Sequence, residues 1–250
     1  MKCVAIIQAR TSSSRLPGKV LEPLNGVPMI VFMLRRVARA RKLSHLLVAT
    51  SVDNSDDVLA RVVAEHGFEC YRGDLSDVLG RYHAAAKLSA ADIIVRLTGD
   101  CPLIDADLID RCISTLLDGN LDYVSNADPP TFPDGLDVEA FTKDALSKAH
   151  ECTQLPSDRE HVTPYIRRTK ALFRQANLRS SIDLSALRWT VDHADDLEFV
   201  RALLRTVPCD DITRADRFNF LRAMEIHGAN FPRNPHVRNE RFSDSSTTVE

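Results

Sequence analysis

Cys3-Val-Ala-Ile-Ile7, followed directly by the polar stretch Gln8-Ala-Arg-Thr-Ser-Ser-Ser-Arg-Leu-Pro-Gly-Lys19, decides the fold. An unbroken apolar run of this length suits a central strand covered on both faces. Beyond the loop, Pro28 is a favoured first-turn residue, and Ile30, Leu34, Val37 and Arg41 recur at helical spacing. Leu46–Ser51 reads as a second strand. Ser55 then caps a helix with Asp56 and Asp57 at its positive end, and Gly67 closes it. A short strand at Phe68–Tyr71, a helix at Asp77–Leu88, a buried strand at Asp92–Leu97 and a helix over Asp105–Leu117 continue the alternation. This rhythm predicts an α/β fold with a Rossmann-like, doubly wound, mainly parallel sheet. Ligands on such sheets bind beyond the carboxyl ends of strands, which singles out the loops Gln8–Lys19 and Thr98–Asp105.

The second half changes character. Asp122–Asn126 and Leu136–Phe141 read as strands around a loop carrying Pro129, Pro130 and Pro133. Helices at Lys143–Cys152 and Asp158–Arg168 and a strand at Leu172–Asn177 follow, together an inserted α+β lobe at about 122–180, too small to hold its own core. Arg188–Asp192 is expected to return to the sheet, with helices at Asp195–Leu204 and Arg214–His227 and a loose tail from about Gly228.

Composition narrows the function classes. The chain has 250 residues, a net charge of −3, 44% hydrophobic and 27% charged residues, which fits a soluble globular protein and excludes disorder and coiled coil. The balanced charge gives no reason to expect nucleic acid or a membrane as a partner. No apolar run reaches the roughly 20 residues of a membrane helix, and Met1–Ile7 lacks a cleavage site, so it is not read as a signal peptide. Cys3, Cys70, Cys101, Cys112, Cys152 and Cys209 form no CxxC pair, and a reducing cytoplasm is the expected compartment.

The chemistry is expected in three places. Arg10, Arg15 and Lys19 offer a triphosphate fixed cations, and the Ser/Gly stretch offers backbone N–H groups, although neither GxxxxGK[ST] nor GxGxxG is present. Asp100 stands directly after a buried strand, where a carboxylate facing phosphates suits Mg²⁺; a turn or capping role is the alternative. Asp192 ends another expected strand and could share that ion, or else Asp192, Asp195 and Asp196 merely stabilise the following helix. Cys101 is a spectator, because hard cations prefer oxygen, and Trp189 is expected in the core.

Taken together, the chain resembles the cytidylyltransferases that activate acidic sugars, above all the branch called spore-coat polysaccharide biosynthesis protein F. The resemblance rests on Gln8–Lys19, Val48-Ala-Thr-Ser51, Arg96-Leu-Thr-Gly-Asp-Cys-Pro-Leu-Ile-Asp105 and Thr190-Val-Asp-His-Ala-Asp-Asp-Leu-Glu198. Asp77-Val-Leu-x-Arg81, Gly135-Leu-Asp-Val-Glu139, Arg159-Glu-His-Val-Thr-Pro-Tyr165 and the tail's Asn234-Pro and Arg238-Asn-Glu240 extend it over nearly the whole chain. It implies a single domain of the nucleotide-diphospho-sugar transferase type, with the lobe serving acceptor binding and dimerisation. It implies Arg10 and Lys19 as the catalytic cations, Ser14 and Arg15 beside them, and Ala9, Thr98 and Arg81 selecting the base. Asp100 and Asp192 become the Mg²⁺ carboxylates. Asn126, Asp137, Glu139, Arg159, Glu160 and His161 are polar residues placed to meet an acceptor; Arg159 could hold a substrate carboxylate, or Arg159–Glu160 could be a helix-start ion pair.

The expectation is a cytoplasmic homodimer that joins CTP to an acidic sugar or related acceptor for surface polysaccharide biosynthesis, releasing pyrophosphate. A metal-dependent glycosyltransferase and a non-catalytic nucleotide-binding protein are the two rivals. The 3-deoxy-manno-octulosonate enzymes carry Gln before the Gly-Asp where this chain has Thr98, which puts that sugar in doubt.

Overall fold

The run that opens the chain forms β1 (Cys3–Gln8). In the computed structural model, which describes residues 1–206, 219–221 and 234, its side chains divide between two cores. Cys3, Ala5 and Ile7 pack on one face, and Val4 and Ile6 on the other, as a strand covered on both sides must. A small antiparallel ribbon, β2 (Pro23–Leu24) and β3 (Val27–Pro28), leads into α1 (Met29–Val37). Then come β4 (His45–Ser51), α2 (Asp57–Glu65), β5 (Glu69–Gly73), α3 (Val78–Leu88), β6 (Ile93–Thr98) and α4 (Ala106–Asp118). The remainder comprises β7 (Tyr123–Ser125), β8 (Glu139–Thr142), α5 (Lys143–Cys152), α6 (Pro156–His161), α7 (Pro164–Arg168), β9 (Gln175–Asn177) and α8 (Ala194–Thr206).

Seven strands form one sheet in the order β5-β4-β1-β6-β8-β7-β9. All neighbours are parallel except β8, which runs antiparallel to β6 and β7. The doubly wound, mainly parallel sheet of the sequence reading is therefore present, and the segment after residue 122 adds three strands to it. Register places the site: Gln8 pairs with Thr98 on one side and Ala49 on the other, so the loops after β1 and β6 leave from adjacent strand ends. Gly99 keeps them close, since a Cβ there would stand 2.9 Å from that of Ala9.

Helix starts follow local chemistry. Asp77, Asp105 and Thr142 accept from the backbone N–H of Gly80 (2.8 Å), Leu108 (3.0 Å) and Ala145 (3.2 Å) at the N-termini of α3, α4 and α5.

Several expected boundaries differ, each for a visible reason. α1 stops at Val37, leaving Arg41 outside it; the Arg41 backbone N–H bonds Asp110 of α4 instead. The strand expected from Leu136 begins only at Glu139, because the Asn126 amide takes the Leu136 carbonyl and the Val138 N–H, both at 2.8 Å. The helix expected over Asp158–Arg168 is two, broken at Val162, whose φ is +71°, and restarted at Pro164. The expected strand at Leu172 shortens to β9.

Arg188–Asp192 is not a strand. It crosses the sheet's end through isolated bonds, Trp189 N–H to the Asp134 carbonyl (2.6 Å) and Val191 N–H to the Asp100 carbonyl (2.8 Å), and makes no ladder. Gly135 allows this crossing: its φ is +105°, and a Cβ would meet the Thr190 nitrogen at 2.5 Å. Trp189 lies fully buried in the core, as expected. The helix expected at Arg214–His227 and the tail from Gly228 fall largely outside the described residues.

Candidate active site

The loop after β1 is clamped at its base. Thr11 donates its backbone N–H and its hydroxyl to Asp56 Oδ1, both at 2.8 Å, while the Ser51 hydroxyl donates to the other oxygen of that buried carboxylate. Burial alone would raise the Asp56 carboxyl, but these donors carry it below its usual range. The Gly18 N–H closes the loop onto the Thr11 carbonyl at 2.8 Å. Asp56 thus anchors the loop as well as opening a helix, a role that its position in the sequence does not reveal.

The loop then delivers Lys19 into the sheet's end, 7% exposed. Its Nζ donates to the Val191 carbonyl (2.7 Å) and Asp192 Oδ1 (3.0 Å), and lies 3.6 Å from Asp100 Oδ2. Arg15 Nη2 reaches the same Asp192 oxygen at 2.7 Å. Two carboxylates from segments far apart in the chain therefore converge on one ammonium.

Behind Asp192 is a network that sequence reasoning missed. Arg188, 1% exposed, pairs with Asp192 Oδ2 (3.1 Å), Asp134 Oδ2 (3.1 Å) and Asp196 (2.9 Å). Asp196 also accepts the backbone N–H groups of Asp192 and His193 at 3.0 Å, and the Asn234 amide at 2.9 Å. Burial works against its charge, but the Arg188 guanidinium and these donors win and draw the carboxyl down to about 2. Asp196 is thus more than a helix-dipole residue, because it holds the arginine that orients Asp192.

A cleft of about 960 Å³ opens over these groups. Ala9, Arg10, Ser14, Arg15, Lys19, Arg81 and Thr98 line one end, with Asp100 and Asp192 beside them. Arg81 is 3% exposed, and burial lowers its guanidinium pKa. Asp137, Glu139, Glu160 and His161 line the cleft too, from the segment after residue 122. Arg96 donates to Glu139, a buried carboxylate that also accepts from the Tyr123 and Thr163 hydroxyls; burial opposes its charge, but Arg96 and those hydroxyls keep its pKa low. Two expected acceptor residues lie off the cleft wall. Asn126 is 1% exposed and bonded to the backbone, and Arg159 is engaged with the α3 cap Asp77 and the His150 carbonyl.

The donor set fits magnesium. Asp100 and Asp192 present hard oxygens on either side of the Lys19 ammonium, and no group of three His, Cys, Asp or Glu that could hold a metal forms among the described residues. Mg²⁺ takes one or two carboxylates and completes its shell with phosphate oxygens and water. The Cys101 thiol lies 3.4 Å from Asp100 Oδ1, a soft group ill-suited to that ion.

Comparison with known proteins decides the assignment. A family model described as cytidylyltransferase matches residues 4–226. The chain belongs to the cytidylyltransferase family. This cytidylyltransferase is 31% identical to the spore coat polysaccharide biosynthesis protein SpsF of Bacillus subtilis, over 96% of this chain and 98% of that one. It is 38% identical to an uncharacterized protein of Methanocaldococcus jannaschii over 79% of this chain and 81% of that one. The solved structure of a cytidylyltransferase from Leptospira borgpetersenii superposes with a TM-score of 0.84 at 33% identity, covering 91% of this chain and 94% of that one. The family resemblance and the nucleotide-diphospho-sugar transferase type of fold read from the sequence both hold. The protein is a CTP-dependent nucleotidyltransferase, and no helix among its described residues is long and apolar enough to cross a membrane.

Proposed function

We propose that this cytidylyltransferase joins the cytidylyl group of CTP to a hydroxyl of a sugar acceptor, giving a CMP-activated product for surface polysaccharide or glycan synthesis. One observation carries the reading: a clamped loop with Arg10, Arg15 and Lys19 stands beside Asp100 and Asp192 at the open end of a parallel sheet. CTP lies with its phosphates along Arg10, Ser14, Arg15 and Lys19 and its base near Ala9, Thr98 and Arg81. The acceptor occupies the end lined by Asp137, Glu160 and His161, with Glu139 in the wall. Its hydroxyl oxygen bonds to the α-phosphorus as the bond to the β-phosphate oxygen breaks, and pyrophosphate departs toward the cations.

Asp100 and Asp192 would hold Mg²⁺, which supplies charge neutralisation at the phosphate oxygens and eases loss of the hydroxyl proton. The chain's own share is positioning and electrostatic stabilisation in a cleft built before the substrate arrives. Sequence resemblance favours an acidic sugar as the acceptor. The test is pyrophosphate release with each of CTP, ATP, GTP and UTP across a panel of sugars. Release that does not prefer CTP contradicts the nucleotide assignment, and no release with any sugar contradicts the reaction.

A further inference from the structure

Asp137, Glu139 and Glu160 line the acceptor end of the cleft, so an anionic acceptor needs a cation there to meet it. The arginines of that end are disposed differently. Arg159 lies off the cleft wall, bound to Asp77 and to the His150 carbonyl. Arg96 lines the cleft, but it is locked to Glu139, a buried carboxylate whose oxygens also take the Tyr123 and Thr163 hydroxyls. Separating that pair would strand a charge in the interior. Arg167 lines the cleft with a partner of another kind. Its Nη2 donates to Asp128 Oδ2 at 2.8 Å, and the two side chains are 28% and 58% exposed. A pair so open to water adds little to stability, and a second carboxylate can replace the first on the guanidinium at small cost.

The backbone beneath each partner is fixed independently of their contact. The Arg167 N–H bonds the Thr163 carbonyl at 3.0 Å, and the neighbouring Arg168 is held by the buried Asp158. Asp128 donates its N–H to Asn177 Oδ1 (3.3 Å), and Asn177 Nδ2 donates to the Pro129 carbonyl (2.9 Å), so β9 holds that loop. The fold thus presents a guanidinium to the cleft with a carboxylate of its own already set on it. We infer that Arg167 is the seat for the carboxylate of the acceptor, and that Asp128 occupies this seat until a sugar acid displaces it. The planar fork of the guanidinium matches a carboxylate with two parallel hydrogen bonds, which favours an acid over its neutral counterpart. The inference rests on the reading of this cleft as the site of cytidylyl transfer. It moves the contact expected of Arg159 to a residue one helix later that reaches the cleft.

The experiment measures pyrophosphate release from CTP and Mg²⁺ with N-acetylneuraminate, 3-deoxy-manno-octulosonate and glucuronate, each beside its methyl ester. At least one acid should exceed its ester in kcat/KM by about tenfold, the scale of a hydrogen bond to a charged group. Arg167→Gln should erase that advantage by raising KM for the acid, while KM for the ester and for CTP stays as in the parent. Asp128→Asn should act in the opposite direction and lower KM for the acid, since an amide yields the guanidinium more readily than a carboxylate does. A variant that merely loosened the fold would harm acid and ester alike. Esters that match their acids in the parent, or an acid-to-ester ratio unchanged in Arg167→Gln, overturn Arg167 as the seat. A KM for the acid that does not fall in Asp128→Asn overturns Asp128 as its stand-in. Each of these results leaves the transfer reaction intact, whereas silence from every acid and ester overturns the reading of the cleft on which the inference stands.

Discussion

Lys19 and Asp192 meet at 3.0 Å across 173 residues of sequence, and the backbone carbonyl just before Asp192 binds the same ammonium at 2.7 Å. One lysine therefore holds the first loop of the chain against the segment that crosses the sheet's end. Asp192 divides its oxygens between two tasks. Oδ2 faces inward to Arg188, and Oδ1 faces the cleft, where Lys19 and Arg15 reach it. Its orientation is set from behind by Arg188, and its front oxygen is held by the two cations of the first loop.

That division separates the two proposed metal carboxylates experimentally. Asp100→Asn and Asp192→Asn should each abolish Mg²⁺-dependent turnover, but only the second should cost stability. The Asp100 side chain is 20% exposed and its ion pair is loose at 3.6 Å, whereas Asp192 is 1% exposed and shares the buried Arg188. Breaking a buried pair typically costs about 3–5 kcal/mol. Thermal melts with pyrophosphate assays check this, and turnover at the normal rate in either variant removes that residue from the site.

Asp196 gives the centre an acid limb. Its carboxyl moves from 3.8 to about 2 on folding, so its stabilisation is complete above the unfolded value. It is lost as pH falls from about 4 through about 2, and amounts to about 2 kcal/mol at neutral pH. Asp196→Asn should be less stable at pH 7 and show a shallower loss of melting temperature between pH 4 and pH 2. An equally steep acid limb in the variant would show that Asp196 does not carry this linkage.

What the sequence made legible was local. The apolar run of β1, the helices beginning at Asp77 and Asp105, and the crowding of Arg10, Arg15 and Lys19 into one loop are each written in a few neighbouring residues. Arg188 was illegible for the opposite reason: its charge is buried through Asp134, 54 residues earlier, and through Asp196, which in sequence looks like an ordinary helix-start acid. Arg159 likewise finds Asp77 at a separation of 82 residues, so the prospect of its holding a substrate meets a side chain already engaged. Asn126 misled because its amide is spent completing backbone pairing where β8 has not yet begun. Local pattern announces elements and loops; it carries no mark of which distant carboxylate will neutralise an arginine.

Base selection can be read without turnover. If Ala9, Thr98 and Arg81 surround the base, CTP should raise the melting temperature more than ATP, GTP or UTP, because only a ligand that favours the folded state stabilises it. Arg81→Lys should diminish that preference, since the planar, multi-donor fork of the guanidinium is lost while the charge is kept. Equal shifts from all four nucleotides, measured at the same excess, would mean that these residues do not select the base.

Lys19 offers the sharpest division between docking and catalysis. During transfer, negative charge grows on the non-bridging oxygens and on departing pyrophosphate, and a cation already buried at that position needs no reorganisation to meet it. Lys19→Ala should therefore lower kcat far more than it weakens CTP binding. Loss of one such contact is worth about 10²–10³ in rate when it acts in the transition state. The structure adds a second consequence, because the same substitution leaves Asp100 and Asp192 without the ammonium between them. Their repulsion should make the variant more dependent on Mg²⁺, so that its melting temperature rises more with added Mg²⁺ than that of the parent. Pre-steady-state pyrophosphate release, CTP titration and Mg²⁺-dependent melts of one variant decide the matter together. Weakened CTP binding with unchanged kcat would show that Lys19 only docks the triphosphate, and an unaltered response to Mg²⁺ would show that the two carboxylates do not share an ion.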